Sequence, residues 1–190
     1  MAIAAQIFTL AGVVLGAAAS FITTSLNERT RTRREQALRW RDRRIDAYSA
    51  YVNDIKHMSA VARRVGASRG LAGRPSDLSA EEGVRLLVEA EMRRSLSSEV
   101  VTLIAGRETV EALRLLNRTV WDLEWVARGL GDDNGPEAWD RNRQHFTDAL
   151  DAFHRCARRE LEVPGDYLIR DPAWQPPWPS PADAAEPEAR

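Results

Sequence analysis

Apolar positions recur along this chain at intervals of three and four, and no stretch alternates as a half-buried strand would. The pattern predicts helices throughout. A first long helix runs to about Val65, with Leu38, Ile45, Tyr48, Val52, Ile55 and Ala62 on one stripe. Tyr51, Met58, Val61 and Val65 widen that stripe, which suits the core of a bundle better than a two-stranded seam. Gly66–Asp77, with three glycines and a proline, reads as a loop. Ser79 followed by Glu82 forms a capping box and opens a second helix to about Ile104. The apolar positions of that helix are Val84, Leu87, Val88, Met92, Leu96, Val100 and Leu103.

A break at Gly106 precedes a third helix striped by Val110, Leu113, Leu116, Val120, Leu123, Ala127 and Leu130. Trp121 and Trp125 flank the stripe one turn apart and read as packing residues rather than a ligand box. "GLGDDNGPE" interrupts the chain again. Pro136 fits a helical first turn, and a fourth helix reaches about Leu161. It turns Trp139, Phe146, Ala149, Leu150, Phe153 and Ala157 inward before Pro164-Gly165 closes it. Short connections between the last three helices favour antiparallel neighbours.

Ahead of the bundle, residues 1–27 carry no ionisable side chain. As a helix, Ile3–Leu26 would span roughly 36 Å at ~1.5 Å per residue, enough to cross a hydrocarbon core of ~30 Å with some tilt. A buried soluble helix and a secretory signal cut near Ala19 are the rival readings. A signal peptide needs a basic start, whereas "MAIAAQ" has none. The cations lie wholly beyond the segment, at Arg29, Arg31, Arg33, Arg34, Arg39, Arg41, Arg43 and Arg44. The positive-inside rule places such a cluster in the cytoplasm. The expectation is a single-pass anchor of the cell membrane, N-terminus outside and the rest cytoplasmic. Within it Ala5, Thr9, Gly12, Gly16, Ser20 and Thr23 make a stripe of small residues. Gly12, Gly16 and Ser20 would allow a second helix to approach closely, which gives a possible homodimer; Ala/Gly-rich spans also hold such spacings by chance.

Charge then divides the chain. Residues 28–70 hold 12 Lys+Arg against 5 Asp+Glu, while residues 132–190 hold 7 against 13, so a basic neck precedes an acidic end. Near a membrane, Arg29, Arg31, Arg33, Arg34, Arg39 and Arg41 would contact anionic lipid head groups at about 1 kcal/mol each, with Trp40 at head-group depth. A solvated helical face, with Glu35 or Asp42 pairing nearby arginines, is compatible with that reading. Nucleic-acid binding is not expected, because no recognition motif follows the arginines.

Candidate chemistry is sparse. Asp54 with His57, and Asp151 with His154, place a carboxylate and an imidazole one helical turn apart, as helical di-metal proteins do with Glu and His. Glu91 or Glu124 would have to complete such a set. Asp is short for the role, and His57 falls off the apolar stripe. Cys156 is alone, so no intramolecular disulfide forms, and it reads as a small buried residue. No zinc spacing, phosphate-binding loop or nucleophile set occurs. Neither a cofactor nor a metal is expected.

The uncharged leader, the neck with Trp40, "RRIDAYSAYV", "LIAGRETVEAL" and "FHRCARRELEVP" together resemble a group of small actinobacterial single-pass membrane proteins, over roughly residues 1–163. The resemblance implies a membrane anchor with a cytosolic helical domain, and no activity. The fold class expected is all-α: a transmembrane helix (1–27), a basic neck (28–44), an antiparallel bundle of about four helices (45–165) and a disordered Pro-rich tail (166–190). The function expected is a non-enzymatic scaffold or interaction module at the membrane, its protein partner unknown. A helical ligand- or metal-binding sensor or enzyme, and an exported bundle, are the alternatives.

Overall fold

The computed structural model describes the backbone of residues 2–72, 76 and 78–169, and the side chains of 35–72, 76 and 78–169. The described residues form four helices and no strand: α1 (Ala2–Ser68), α2 (Ala80–Ile104), α3 (Arg107–Arg128) and α4 (Pro136–Glu160). The protein is all-α. The chain divides into two units, Met1–Arg43 and Arg44–Arg190. Among residues whose side chains are described, no helix is long and apolar enough to cross a membrane. The expected anchor, with Gly12, Gly16 and Ser20, falls outside those residues, and so does the tail from residue 170 onward.

Three helix boundaries of the second unit have a local reason. Ser79 caps α2, its Oγ accepting from the Glu82 N–H at 3.2 Å. Pro136 stands in the first turn of α4, where its missing N–H costs nothing. Gly129 ends α3 in the left-handed region at φ 75°, and the Leu130 N–H reaches back to the Trp125 carbonyl at 2.9 Å, a Schellman closure. The α1 helix runs three residues beyond its expected end, to Ser68.

The bundle runs up, down, up, down. Tyr48 and Tyr51 of α1 meet Phe153 of α4 edge-on, with ring centroids 5.9 and 5.1 Å apart. At the far end of the same two helices, Gly66 lies under the Trp139 ring, so α1 and α4 are antiparallel. Arg159 of α4 pairs with Glu108 of α3, and α3 and α4 are in extensive contact. Tyr51 and Arg69 reach Asn117 and Val126 in turn, so α1 and α3 are parallel. The core comprises Tyr48, Tyr51, Ile55, Met58, Leu87, Leu116, Leu123, Trp139, Phe146, Leu150 and Phe153 with smaller neighbours. Burial of each large side chain contributes about 1.5–3 kcal/mol.

The stripes expected for α3 and α4 are those that turn inward, except that Val110 is half-buried and Leu130 is 40% exposed at the helix end. On α1 the inward face is Tyr48, Tyr51, Ile55, Met58, Ala62 and Val65, while Leu38 and Ile45 are exposed. Leu38 belongs to the first unit and Ile45 precedes the first buried residue, Ala47.

The largest departure is α2. Its buried residues are Gly83, Leu87, Ala90, Arg94, Ser98 and Val101. Val84, Val88, Met92, Leu96, Val100 and Leu103, expected in the core, are 40–83% exposed. At its start α2 lies close to α1: a Cβ on Gly83 would stand 2.9 Å from Val65 Cγ2.

Candidate functional site

Three sets of polar residues and one apolar surface bear on function. The first set is the one that suggested a metal. Asp151 is buried, and the Tyr167 hydroxyl donates to its Oδ1 at 2.8 Å. His154 Nδ1 lies 3.0 Å from the same hydroxyl. Asp54 is half-buried, and His57 points to solvent on α1 as its place off the stripe implied. Among the described residues, no three His, Cys, Asp or Glu side chains are grouped to hold a metal. Asp151 and His154 instead grip Tyr167 and fasten the chain after α4 onto that helix. A mostly apolar groove of about 390 Å³ lies beside them, lined by Tyr48, Val52, Phe153, His154, Leu161 and Tyr167 among others. Cys156 is half-buried rather than buried.

The second set centres on Glu160, which spacing alone did not single out. Its carboxylate accepts from the Gly106 N–H at 2.8 Å and from Thr109 Oγ1 at 2.6 Å. It also pairs with Arg44 at 3.4 Å, while Arg44 Nε donates to the Ile104 carbonyl at 3.1 Å. Arg44, at the end of the basic neck, is half-buried and ties the start of the second unit to α2 and α4. Tyr48, 4% exposed, makes no hydrogen bond through its hydroxyl. Burial, and then the Glu160 carboxylate, push its phenol well above the ordinary range.

The third set lies between α2 and α3. Arg94 is buried and holds the Glu91 carboxylate with two hydrogen bonds of 2.7 and 2.5 Å. Its guanidinium sits 4.9 Å from the Trp121 ring, and Trp121 Nε1 donates to Glu91 at 3.2 Å. Trp121 and Trp125, read as packing residues beside the stripe, are 42% and 57% exposed. They line a surface groove of about 450 Å³ with Glu91, Arg118, Asp122 and Glu124. The face of Trp121 is occupied by Arg94, and Glu124 is paired with Arg128 at 3.0 Å.

The apolar surface is the outer side of α2. Val84, Val88, Met92, Leu96, Val100 and Leu103 lie roughly opposite the buried face when successive residues turn by about 100°. In the first unit, Arg39 and Arg41 are exposed and Arg39 lies 3.9 Å from Glu35. Trp40 is 51% exposed, with the Arg43 guanidinium 5.6 Å from its ring. The side chains of Arg29, Arg31, Arg33 and Arg34 fall outside the described residues.

These features define an all-α, up-down-up-down bundle with polar clasps inside and an apolar outer face. No family model, curated protein or solved structure matches the chain.

Proposed function

We propose that this protein is a non-enzymatic interaction module held at a membrane. Residues 1–27 serve as a single-pass anchor with the N-terminus outside. The bundle is cytoplasmic, and the neck arginines, Arg39 and Arg41 among them, meet anionic head groups. The small residues Gly12, Gly16 and Ser20 suit helix contact within the bilayer. The observation that carries the interaction role is the outer face of α2, where a row of aliphatic side chains stands in solvent on an otherwise well-packed bundle. The anchor rests on the unbroken uncharged leader and on the cations gathered beyond it. A non-catalytic role accords with Asp151 and His154 being engaged with Tyr167.

The test joins membrane fractionation to a topology reporter fused after Arg190. The full chain should sediment with membranes, resist carbonate extraction and report a cytoplasmic C-terminus. Recovery in the soluble fraction, or an external reporter signal, ends the membrane reading. Stoichiometric iron, manganese or zinc in purified protein ends the non-enzymatic one.

A further inference from the structure

We infer, independently of the membrane reading, that the groove between α1 and α4 is the seat of this chain's own proline- and tryptophan-rich segment, residues 172–181. That segment lies outside the described residues and begins three residues after Ile169.

The groove has an aromatic floor and wall. Tyr48, Phe153, His154 and Tyr167 form a continuous row, with successive ring centroids 5.9, 6.4 and 5.8 Å apart. Tyr48 and Phe153 are buried beneath the groove, while His154 and Tyr167 stand half-buried at its side. Ile45 and Val52, about two turns apart on α1, border it from that helix. Aromatic-lined grooves receive proline-rich segments in peptide recognition, because proline fixes φ before binding and little chain entropy remains to be lost. At about 390 Å³ the groove lies near the lower bound of small-molecule sites, a size for one or two side chains rather than a cofactor.

The chain after α4 already turns toward this groove. Backbone in the left-handed region at Glu162 and Gly165, φ 53° and 82°, reverses its direction. Arg158 donates to the Pro164 and Gly165 carbonyls at 3.2 and 3.3 Å, and the Tyr167 hydroxyl meets Asp151. The chain therefore runs back along α4 and stands at the groove when it reaches Tyr167. From there to Trp174 is seven residues, at most roughly 23 Å at ~3.3 Å each. Ile45 to Val52 spans about 10 Å at ~1.5 Å per helical residue. Trp174 thus reaches every part of the groove, with chain to spare for a turn.

The composition of residues 172–181 suits such a surface. They hold five prolines, Trp174 and Trp178, and no ionisable side chain, between Asp171 and Asp183. Two indoles offer a large apolar area at low entropic cost. A short tether gives the segment a local concentration of roughly millimolar, so a contact too weak to hold a free peptide keeps it in place. A proline-rich peptide from another protein, or a lipid chain, has no such advantage.

Full-length protein in lipid nanodiscs, with photoreactive p-benzoylphenylalanine placed at Ser49, tests this. Ser49 lines the groove and is exposed. After irradiation, mass spectrometry should find the cross-link in residues 172–181 of the same chain. Trp174→Ser with Trp178→Ser should lower its yield by at least about tenfold, the scale of losing aromatic anchors, with helical circular dichroism unchanged. A probe at His145, exposed on α4 within two turns of Asp151, is also within reach of a tail that docks nowhere, and should capture far less of it. The reciprocal probe at Trp174 should label residues 45–52 or 153–161, and stands as the readout if the Ser49 probe disturbs folding. Equal capture from His145, or a yield unchanged by the two serines, overturns the inference, since either would mean proximity without docking. Mixing with isotope-labelled chains that lack the probe separates a second copy: a cross-link to the labelled chain overturns docking within one chain. A cross-link only to lipid, or none from either probe, overturns it as well.

Discussion

Glu160 and Arg69 occupy opposite ends of α3, each with the sign that the helix dipole favours there. The carboxylate meets the Gly106 N–H at the N-terminus. The guanidinium donates to the Val126 and Ala127 carbonyls at the C-terminus, at 2.6 and 3.2 Å. Both side chains come from other parts of the fold, so tertiary contacts reach one N–H at the start of α3 and two carbonyls at its end. Gly129 makes room for this: a Cβ there would stand 2.7 Å from the Arg69 guanidinium.

Glu160→Gln is expected to destabilise the bundle by about 2 kcal/mol, since charge-assisted hydrogen bonds at a half-buried site are lost. Arg69→Gln should cost about 1 kcal/mol or less, because Arg69 is exposed and its charge is screened. Urea melts of the two variants check the order. Equal losses would show that burial does not set the strength of these contacts.

Tyr51 links α1 to α3 at the centre of the core. Its hydroxyl donates to Asn117 Oδ1 at 2.9 Å, and both residues are buried. Tyr51→Phe leaves the Asn117 oxygen without that donor and should cost about 1–3 kcal/mol. A midpoint in denaturant equal to that of the wild type would mean the amide finds another partner.

Alkaline pH should unfold the bundle through its tyrosines. Burial raises both the Tyr48 and the Tyr51 phenol, and Glu160 raises Tyr48 further. The folded state keeps these protons after the unfolded chain, with phenols near pKa ~10, has begun to lose them. Their contribution is therefore complete below about pH 10 and is lost as pH rises toward the folded values. The melting temperature should fall above about pH 10, and less steeply in a Tyr48→Phe, Tyr51→Phe double variant. An identical slope in that variant would assign the alkaline loss to other groups.

Gly83→Ala tests the close approach of α2 to α1. On an open helix the change should gain about 1 kcal/mol. Here the new methyl meets Val65 Cγ2 at 2.9 Å, and the β-branched Val65 has little rotamer freedom with which to yield. Overpacking of about 1–3 kcal/mol should leave the variant less stable than the wild type by calorimetry. A raised melting temperature would show that the two helices can separate at no cost.

Much of this architecture was legible in the residue order. The stripes of α3 and α4, the breaks at Gly106 and Gly129–Gly135, the Ser79 cap and the outward His57 all follow from local rules. Helical period, a proline in a first turn and glycine at a left-handed position act over a few residues. Trp121 and Trp125 were harder, because a tryptophan beside a stripe looks the same whether it packs inside or covers a buried arginine. The Glu160 clasp was not legible. Its partners lie more than fifty residues away, and no spacing marks them.

What the amino-acid order determined by itself is the helical class, the approximate bounds of the bundle helices, and the inward stripes of α3 and α4. Periodicity is a property of one helix and reports the angle between its own side chains. Only the tertiary structure decided which face of α2 turns inward. That choice depends on whether Gly83, Ala90 and Ser98 fit against neighbouring helices, and on whether Arg94 finds Glu91 and Trp121. The face that turned inward is the one on which Gly83 approaches Val65 and Arg94 binds Glu91 and meets Trp121, and it left the larger aliphatic residues in solvent on the other.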